Sequence, residues 1–315
     1  MMQKSILIIF IFLNLSGCAP SSTVDKIGGQ TMGTTYTIKS QGGQVDQAQI
    51  EQRLKQISQI FSSWDKNSEL SKLNNQPLHK PILLSSELSK VLSESILIHQ
   101  QTQGFFDPGL GRLIDIWGFG APEVHEKPSR KIIAQALLNA SISQITLKAD
   151  KLTKKADVQL NLSAIAKGYA LDEVAKLLTA QGAERFMLEI GGEVKAKGSW
   201  NIGIEAPVGQ APIKIELIDS SIATSGNYRQ HFIWKGEHYA HILDPHTGLP
   251  VASDLFSASV IHPSNLRADA YATAMMAMGS NKAAKLARQL KLKTVLILKP
   301  CTRPCQTKNI IKIGL

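Results

Sequence analysis

Three short stretches of the sequence gather side chains that could do chemistry. In ADAYAT, residues 268–273, Asp269 and Thr273 stand four apart, so a helix would set a carboxylate and a hydroxyl on one face. Those are hard oxygen donors suited to magnesium, which keeps waters and phosphate oxygens at its other positions. In YAHILDPHTGLP, residues 239–250, the residues His241, Asp244, His246 and Thr247 crowd among Pro245, Gly248 and Pro250. Proline and glycine there predict tight turns that hold the polar side chains in place, and an imidazole can accept a proton near neutral pH. In NLSAIAKGYALD, Lys167 and Gly168 lie near the start of a predicted helix, where free amides and a cation favour an anion. The pair Gly191-Gly192, after FMLEI, would allow a ligand close to the backbone, although the spacing of a dinucleotide fingerprint is missing. Each stretch also fits an ordinary solvated helix face or surface hairpin. Alone, none identifies a site.

The elements that must position these residues follow from periodicity. Residues 47–62 place Ile50, Leu54, Ile57 and Phe61 at helical spacing, and a second helix runs from about Ser86 to His99 with Leu88, Val91, Leu92 and Ser95 inward. TMGTTYTIKS reads as a strand entered through Gly33. TQGFFDPGLGRLIDIWGFGAP, with glycines at 104, 109, 111, 118 and 120, reads as a long loop with its own packing. Residues 130–140 are expected to be helical, and ITLKADKLTKKADVQLNL to form strands around a turn. SAIAKGYALDEVAKLLTAQG is expected to be a helix starting near Ser163 and leaving at Gly182. Short strands dominate from FMLEI to LFSASVIH, followed by a helix from Asn265 to Met278, another to Leu290 and the strand TVLIL. Without strict βαβ alternation, the pattern predicts an α+β fold of mixed or antiparallel sheets with packed helices.

The 315 residues carry 35 Lys and Arg against 25 Asp and Glu, a formal net charge of +10. That balance admits nucleic acid, anionic lipid or a phosphate-bearing ligand, but no arginine-rich run or aromatic stacking pattern points to nucleic acid. The start, MMQKSILIIFIFLNLSGCAP, has Lys4, then an apolar run from Ile6 to Leu15 too short to span a bilayer. It ends in Leu15-Ser16-Gly17-Cys18, a match to the lipobox of bacterial lipoproteins. The expectation is a signal peptide over 1–17, a lipidated tether over 18–26 anchored at Cys18, and one folded domain over 27–315, facing the periplasm. There Cys301 and Cys305 could form a small structural disulfide.

In order along residues 31–273 stand TMGTTY, WDKNSELSKLN, GFFDPGLGRLIDIWGFG, NLSAIAKGYALD, EIGGEVKAKG, IATSGNYR, HILDPHTGLP and ADAYAT. This series resembles the ApbE family, the FAD:protein FMN transferases, over essentially the whole chain beyond the tether. The resemblance implies transfer of the FMN moiety of FAD to a threonine or serine hydroxyl of a partner protein, with release of AMP. It implies magnesium held by Asp269, Thr273 and a backbone carbonyl at Ala164. It implies His241 as general base or as the group orienting the nucleophile. Asp244 would orient His241 or hold a second metal, and His246 would be solvated.

Around FAD the resemblance places His241, Met32 against the flavin nucleotide, and Trp64, where relatives often have a stacking tyrosine. It places Phe106 and Asp107 at the adenine end, Lys167 at a ligand-contacting position, and Thr224, Ser225 and Gly226 near the phosphates. Asn161 stands where the family often has aspartate, which removes a charge from that contact. The implied acceptors are periplasm-facing subunits of the sodium-translocating NADH:quinone reductase or the related Rnf complex. Those partners favour the inner membrane and leave the outer membrane open. Two alternatives remain: an FAD pyrophosphatase giving FMN and AMP, and a lipoprotein that binds FAD without chemistry.

Overall fold

The computed structural model describes residues 24–120, 126–226, 231–234, 237–300 and 309–315, so the expected signal peptide, Cys18, Cys301 and Cys305 lie outside the described residues. Its strands are β1 (Asp25–Thr31), β2 (Thr34–Gln41), β3 (Pro81–Leu83), β4 (Ile145–Lys148), β5 (Lys151–Lys154), β6 (Arg185–Ile190), β7 (Glu193–Lys197) and β8 (Ser199–Ile204). They continue with β9 (Ile213–Ile218), β10 (Ser221–Gly226), β11 (His231–Trp234), β12 (Glu237–Ala240), β13 (Leu255–His262), β14 (Lys293–Leu298) and β15 (Ile310–Ile313). The helices are α1 (Gln47–Phe61), α2 (Glu69–Asn74), α3 (Ser86–Gln101), α4 (Gly111–Ile116), α5 (Arg130–Leu137), α6 (Ser163–Ala180), α7 (Asn265–Met278) and α8 (Ser280–Gln289).

Eight strands form one sheet in the order β1-β2-β6-β7-β10-β13-β14-β15, every neighbouring pair antiparallel. Both faces of its middle are covered, which explains why TVLIL is apolar throughout. In β14, Leu296 joins the core under the helices, while Val295 and Ile297 point to a second cluster with Ile204, Ile215 and Leu217 of the β8–β9 hairpin. On the helical side, α1 buries Ile50, Leu54, Ile57 and Phe61, and α3 buries Leu88, Val91, Leu92 and Ser95, as the spacing predicts. Side-chain caps start both helices: Asp46 accepts from the Gln49 N–H at 3.1 Å, and Ser85 from the Leu88 N–H at 3.2 Å. A third, smaller cluster joins Leu113 and Trp117 to Ile133 of α5 and to Leu243. The fold is α+β.

Three local expectations differ from the outcome. The first strand begins at Asp25, inside the last two residues of the expected tether, because Asp25 and Lys26 pair with Ser40 and Lys39 of β2. The expected long loop after α3 contains α4. Gly109 and Gly111 mark close packing: a Cβ at the first would lie 2.3 Å from the Ser141 carbonyl carbon, and one at the second 2.6 Å from the Gln159 carbonyl oxygen. The short helix α2, capped by Ser68 through the Ser71 N–H at 3.0 Å, lies in a segment too brief for its period to be read. Among the described residues no helix is long and apolar enough to cross a membrane.

Candidate active site

The site is built where α6 crosses α7. A Cβ at Gly168 would meet the Asn265 carbonyl oxygen at 2.5 Å and the Leu266 Cα at 2.7 Å, so the helices can approach this closely only through glycine. Asp172 of α6 caps α7 from outside, accepting from the Asn265 N–H at 3.0 Å and the Leu266 N–H at 3.2 Å. The same carboxylate accepts from Ser264 Oγ at 2.7 Å and Lys195 Nζ at 2.8 Å. The crossing brings the Gly168 N–H to 3.4 Å from Asp269 Oδ2. Upstream, Ala164 leaves helical geometry at φ −88° and ψ 15°, which tilts its carbonyl away from the regular hydrogen-bond ladder.

Asp269 is only 4% exposed, and Thr273 is half-buried one turn along the same helix. The Thr273 hydroxyl shares a hydrogen bond with Ser225 Oγ at 3.1 Å, and Thr224 Oγ1 shares one with Ser259 Oγ at 2.8 Å. The structure therefore draws Asp269 to Gly168, one helical turn after Ala164 on α6, and Thr273 to the end of β10.

Glu193 joins them, and sequence reasoning missed it. Gly191 and Gly192 both have positive φ, 57° and 92°, as a two-residue hairpin connection between β6 and β7 requires. The pair forms the turn and delivers Glu193 to the first position of β7. There the side chain is 2% exposed and forms an ion pair with Lys167. Burial raises the Glu193 carboxyl above the usual range, the charge of Asp269 adds to this, and Lys167 opposes it. Burial also raises Asp269, against Lys167 and the Gly168 N–H. Burial disfavours charge on both carboxylates, and the single ammonium between them offsets this only in part. The available signal was a carboxylate immediately after a glycine turn, in phase with Lys195 and Lys197 on a strand whose alternate positions, Val194 and Ala196, are apolar.

The remaining expected contacts divide by burial. Trp64 is 62% exposed in the α1–α2 connection, so its ring is presented outward rather than spent on the core. Met32, at φ 48°, occupies the β1–β2 turn and is partly buried against the helical core. Asn161 accepts from the Ser163 N–H at 2.9 Å, just ahead of α6, and donates to Ser63 Oγ at 3.4 Å, beside Trp64. Phe106 is 2% exposed, its ring packed within the main core. Asp107 is also turned inward. Its Oδ1 accepts from Gly109 N at 2.8 Å and Ile142 N at 2.7 Å, and Oδ2 lies 3.3 Å from His99 Nδ1. Burial raises its carboxyl above the usual range, opposed by His99 and those N–H donors.

The predicted turn after His241 is present and firmly held. Asp244 accepts from the Gly248 N–H at 2.8 Å and donates its own N–H to the Leu249 carbonyl at 2.8 Å. Trp117 Nε1, just past α4, donates to the Gly248 carbonyl at 2.8 Å. Ile242 and Val251 enter the main core, which docks the turn on the same body as α6 and α7. His241 is half-buried, its ring edge-on to Phe119 at 6.3 Å between centroids. Asp244 does not orient it. The Asp244 carboxylate accepts from the His246 N–H at 2.9 Å and stands 3.2 Å from His246 Nδ1, since an aspartate two residues before an N–H closes on its own turn. His246 is exposed but engaged, with Phe105 at 4.6 Å. A cleft of about 840 Å³ separates this turn from the α7–α8 junction, with Asp244 and His246 on one side and Ala277 and Ser280 on the other.

Among the described residues, no three His, Cys, Asp or Glu side chains gather as a metal cage, so a cation here would rest on mixed oxygen donors. The donor set fits magnesium: a buried carboxylate, a hydroxyl one turn away, a carbonyl at a helix kink, and a second buried carboxylate nearby.

The ApbE family model matches residues 32–297. The FAD:protein FMN transferase of Haemophilus influenzae is 34% identical, over 94% of this chain and 92% of that protein. The FAD:protein FMN transferase of Vibrio cholerae is 35% identical, over 91% of each chain. Among solved structures, the apo form of the flavinyl transferase ApbE from Pseudomonas stutzeri superposes with a TM-score of 0.83 at 31% identity, covering 89% of this chain and 92% of that one.

Proposed function

The chain belongs to the ApbE family, and from that premise we propose that it transfers the FMN moiety of FAD to a threonine or serine hydroxyl of a partner protein, releasing AMP. The observation that carries the reading is the placement of Asp269 and Thr273 on one face of α7, with Asp269 at the Gly168 N–H of α6 and Thr273 at the hydroxyls of β10. Asp269, Thr273 and the Ala164 carbonyl would hold magnesium. When bound, it neutralises phosphate charge and polarises the phosphorus centre as a Lewis acid. The chain's own share is positioning, which dominates phosphoryl transfer. Thr224, Ser225 and Gly226 would line the diphosphate, Lys167 would add a positive charge near it, and Trp64 would stack on a ring of the dinucleotide. His241 would take the proton of the incoming hydroxyl as that oxygen bonds to the FMN phosphorus. The phosphorus–oxygen bond to the AMP half then breaks, and AMP carries that oxygen away.

The lipobox at Leu15–Cys18 supports lipid anchoring at Cys18 and a periplasm-facing location in the cell envelope. A tether would hold the enzyme in the plane of its acceptors and raise their effective concentration. Periplasm-facing subunits of the sodium-translocating NADH:quinone reductase or Rnf complexes are the proposed acceptors. The test is co-expression with such a subunit, read by in-gel flavin fluorescence and by the acceptor's mass. Asp269→Ala and His241→Ala should each abolish labelling. Labelling that survives both would refute the assigned roles, and AMP released equally fast without acceptor would identify a hydrolase instead.

A further inference from the structure

One buried group is not used by the mechanism above. Glu193 Oε1 is paired with the Lys167 ammonium, but Glu193 Oε2 is buried without a hydrogen-bond partner among the described residues. Buried carboxylate oxygens are rarely left so, and a lone one points to something that binds there. Its position is fixed from two sides. The Gly191-Gly192 connection sets the start of β7, and Asn265 Nδ2 donates to the Val194 carbonyl at 3.3 Å, pinning the first turn of α7 beside Glu193. Asp269 is one helical turn beyond Asn265, on the same face. The Lys167 ammonium lies close enough to act on both carboxylates.

We infer that Glu193 supplies a further protein oxygen to the divalent cation, through Oε2 directly or through one water. The inference rests on the cation reading of Asp269. With both carboxylates ionised, as cation binding requires, they and the ammonium sum to one negative charge; a divalent cation turns this into one positive charge, which suits a diphosphate. Lys167 then has two roles: it shields the carboxylates before the metal arrives and faces the phosphates afterwards.

The alternative is that Glu193 only anchors Lys167, and the two roles separate by experiment. Metal-free full-length protein in detergent is titrated with Mn²⁺, without FAD, and free Mn²⁺ is read by electron paramagnetic resonance. Glu193→Gln keeps the side chain's shape and an acceptor for Lys167, so an anchoring role would survive it. As a ligand, its loss should weaken Mn²⁺ binding by about 10- to 100-fold. Lys167→Met should leave binding unchanged or tighten it. Wild-type affinity in Glu193→Gln, with binding lost in Asp269→Asn, would overturn the inference and leave the cation reading standing. Wild-type affinity in Asp269→Asn would overturn both. If Glu193→Gln does not fold by circular dichroism, Glu193→Asp carries the test, and affinity within about twofold of wild type there overturns the inference.

Discussion

Gly168→Ala tests the helix crossing on which the site is built. The new methyl would stand 2.5 Å from the Asn265 carbonyl oxygen and 2.7 Å from the Leu266 Cα, and neither backbone atom can rotate aside. Reaching an ordinary contact requires α6 and α7 to part by close to 1 Å. Overpacking of this kind costs about 1–3 kcal/mol, and rigid backbone on both sides puts this site near the upper end. With an unfolding entropy of about 2.1 cal/mol/K per residue, a loss of about 3 kcal/mol in a domain of this size lowers the melting temperature by roughly 5 °C. The same displacement removes the contact between the Gly168 N–H and Asp269, already long at 3.4 Å, and shifts Asp269 relative to Ala164. A misplacement of about 1 Å at a reacting site costs on the order of 100-fold in rate. The control is Gly203→Ala, whose methyl would meet only the Pro212 Cβ, at 3.4 Å. Thermal melts followed by circular dichroism and acceptor flavinylation rates should separate the two variants on both axes. If Gly168→Ala melts within about 1 °C of Gly203→Ala and labels at the same rate, the crossing does not position the site and the reasoning fails.

Trp64→Ala should leave the melting temperature nearly unchanged, since the ring is exposed, but weaken FAD binding by about 1–3 kcal/mol in calorimetry if the ring stacks. Phe106→Ala should do the reverse, costing about 3–5 kcal/mol of stability as a core truncation, visible as a lower urea midpoint. Asn161→Asp keeps the acceptor for the Ser163 N–H and adds a negative charge at the start of α6, worth about 0.3–1 kcal/mol; FAD affinity should stay equal or tighten, and a large loss by calorimetry would show a differently organised site. Arg53 lies at hydrogen-bonding distance, 2.6 Å, from Glu87 and holds that carboxyl below its ordinary value of 4.5. A depressed acid stabilises the fold fully above its unfolded pKa, and the contribution fades as pH falls from about 4.5 through the lower folded value. Urea midpoints should therefore fall in that acid range, and Glu87→Gln should flatten the fall.

Much of the site's local geometry was legible in the sequence. Residues 265–278 are a helix ending at Gly279, so Asp269 and Thr273 had to share a face, and Pro245 and Gly248 had to fold the segment after His241 into a turn. These follow from backbone period and turn chemistry, which act over a few residues. What the side chains face did not follow from the sequence. Phe106 and Asp107 lie in a segment expected at the adenine end, yet both turn into the core, because burial is set by elements far away in the chain. Asp244 turns to His246 instead of His241 because its nearest donor is its own turn. Glu193 and Lys167, 26 positions apart, became a pair only when β7 was laid across the α6–α7 crossing. Chain order set where each group sits on its helix or turn, and packing of distant segments, which no local pattern encodes, decided which groups meet and which charges lose their water.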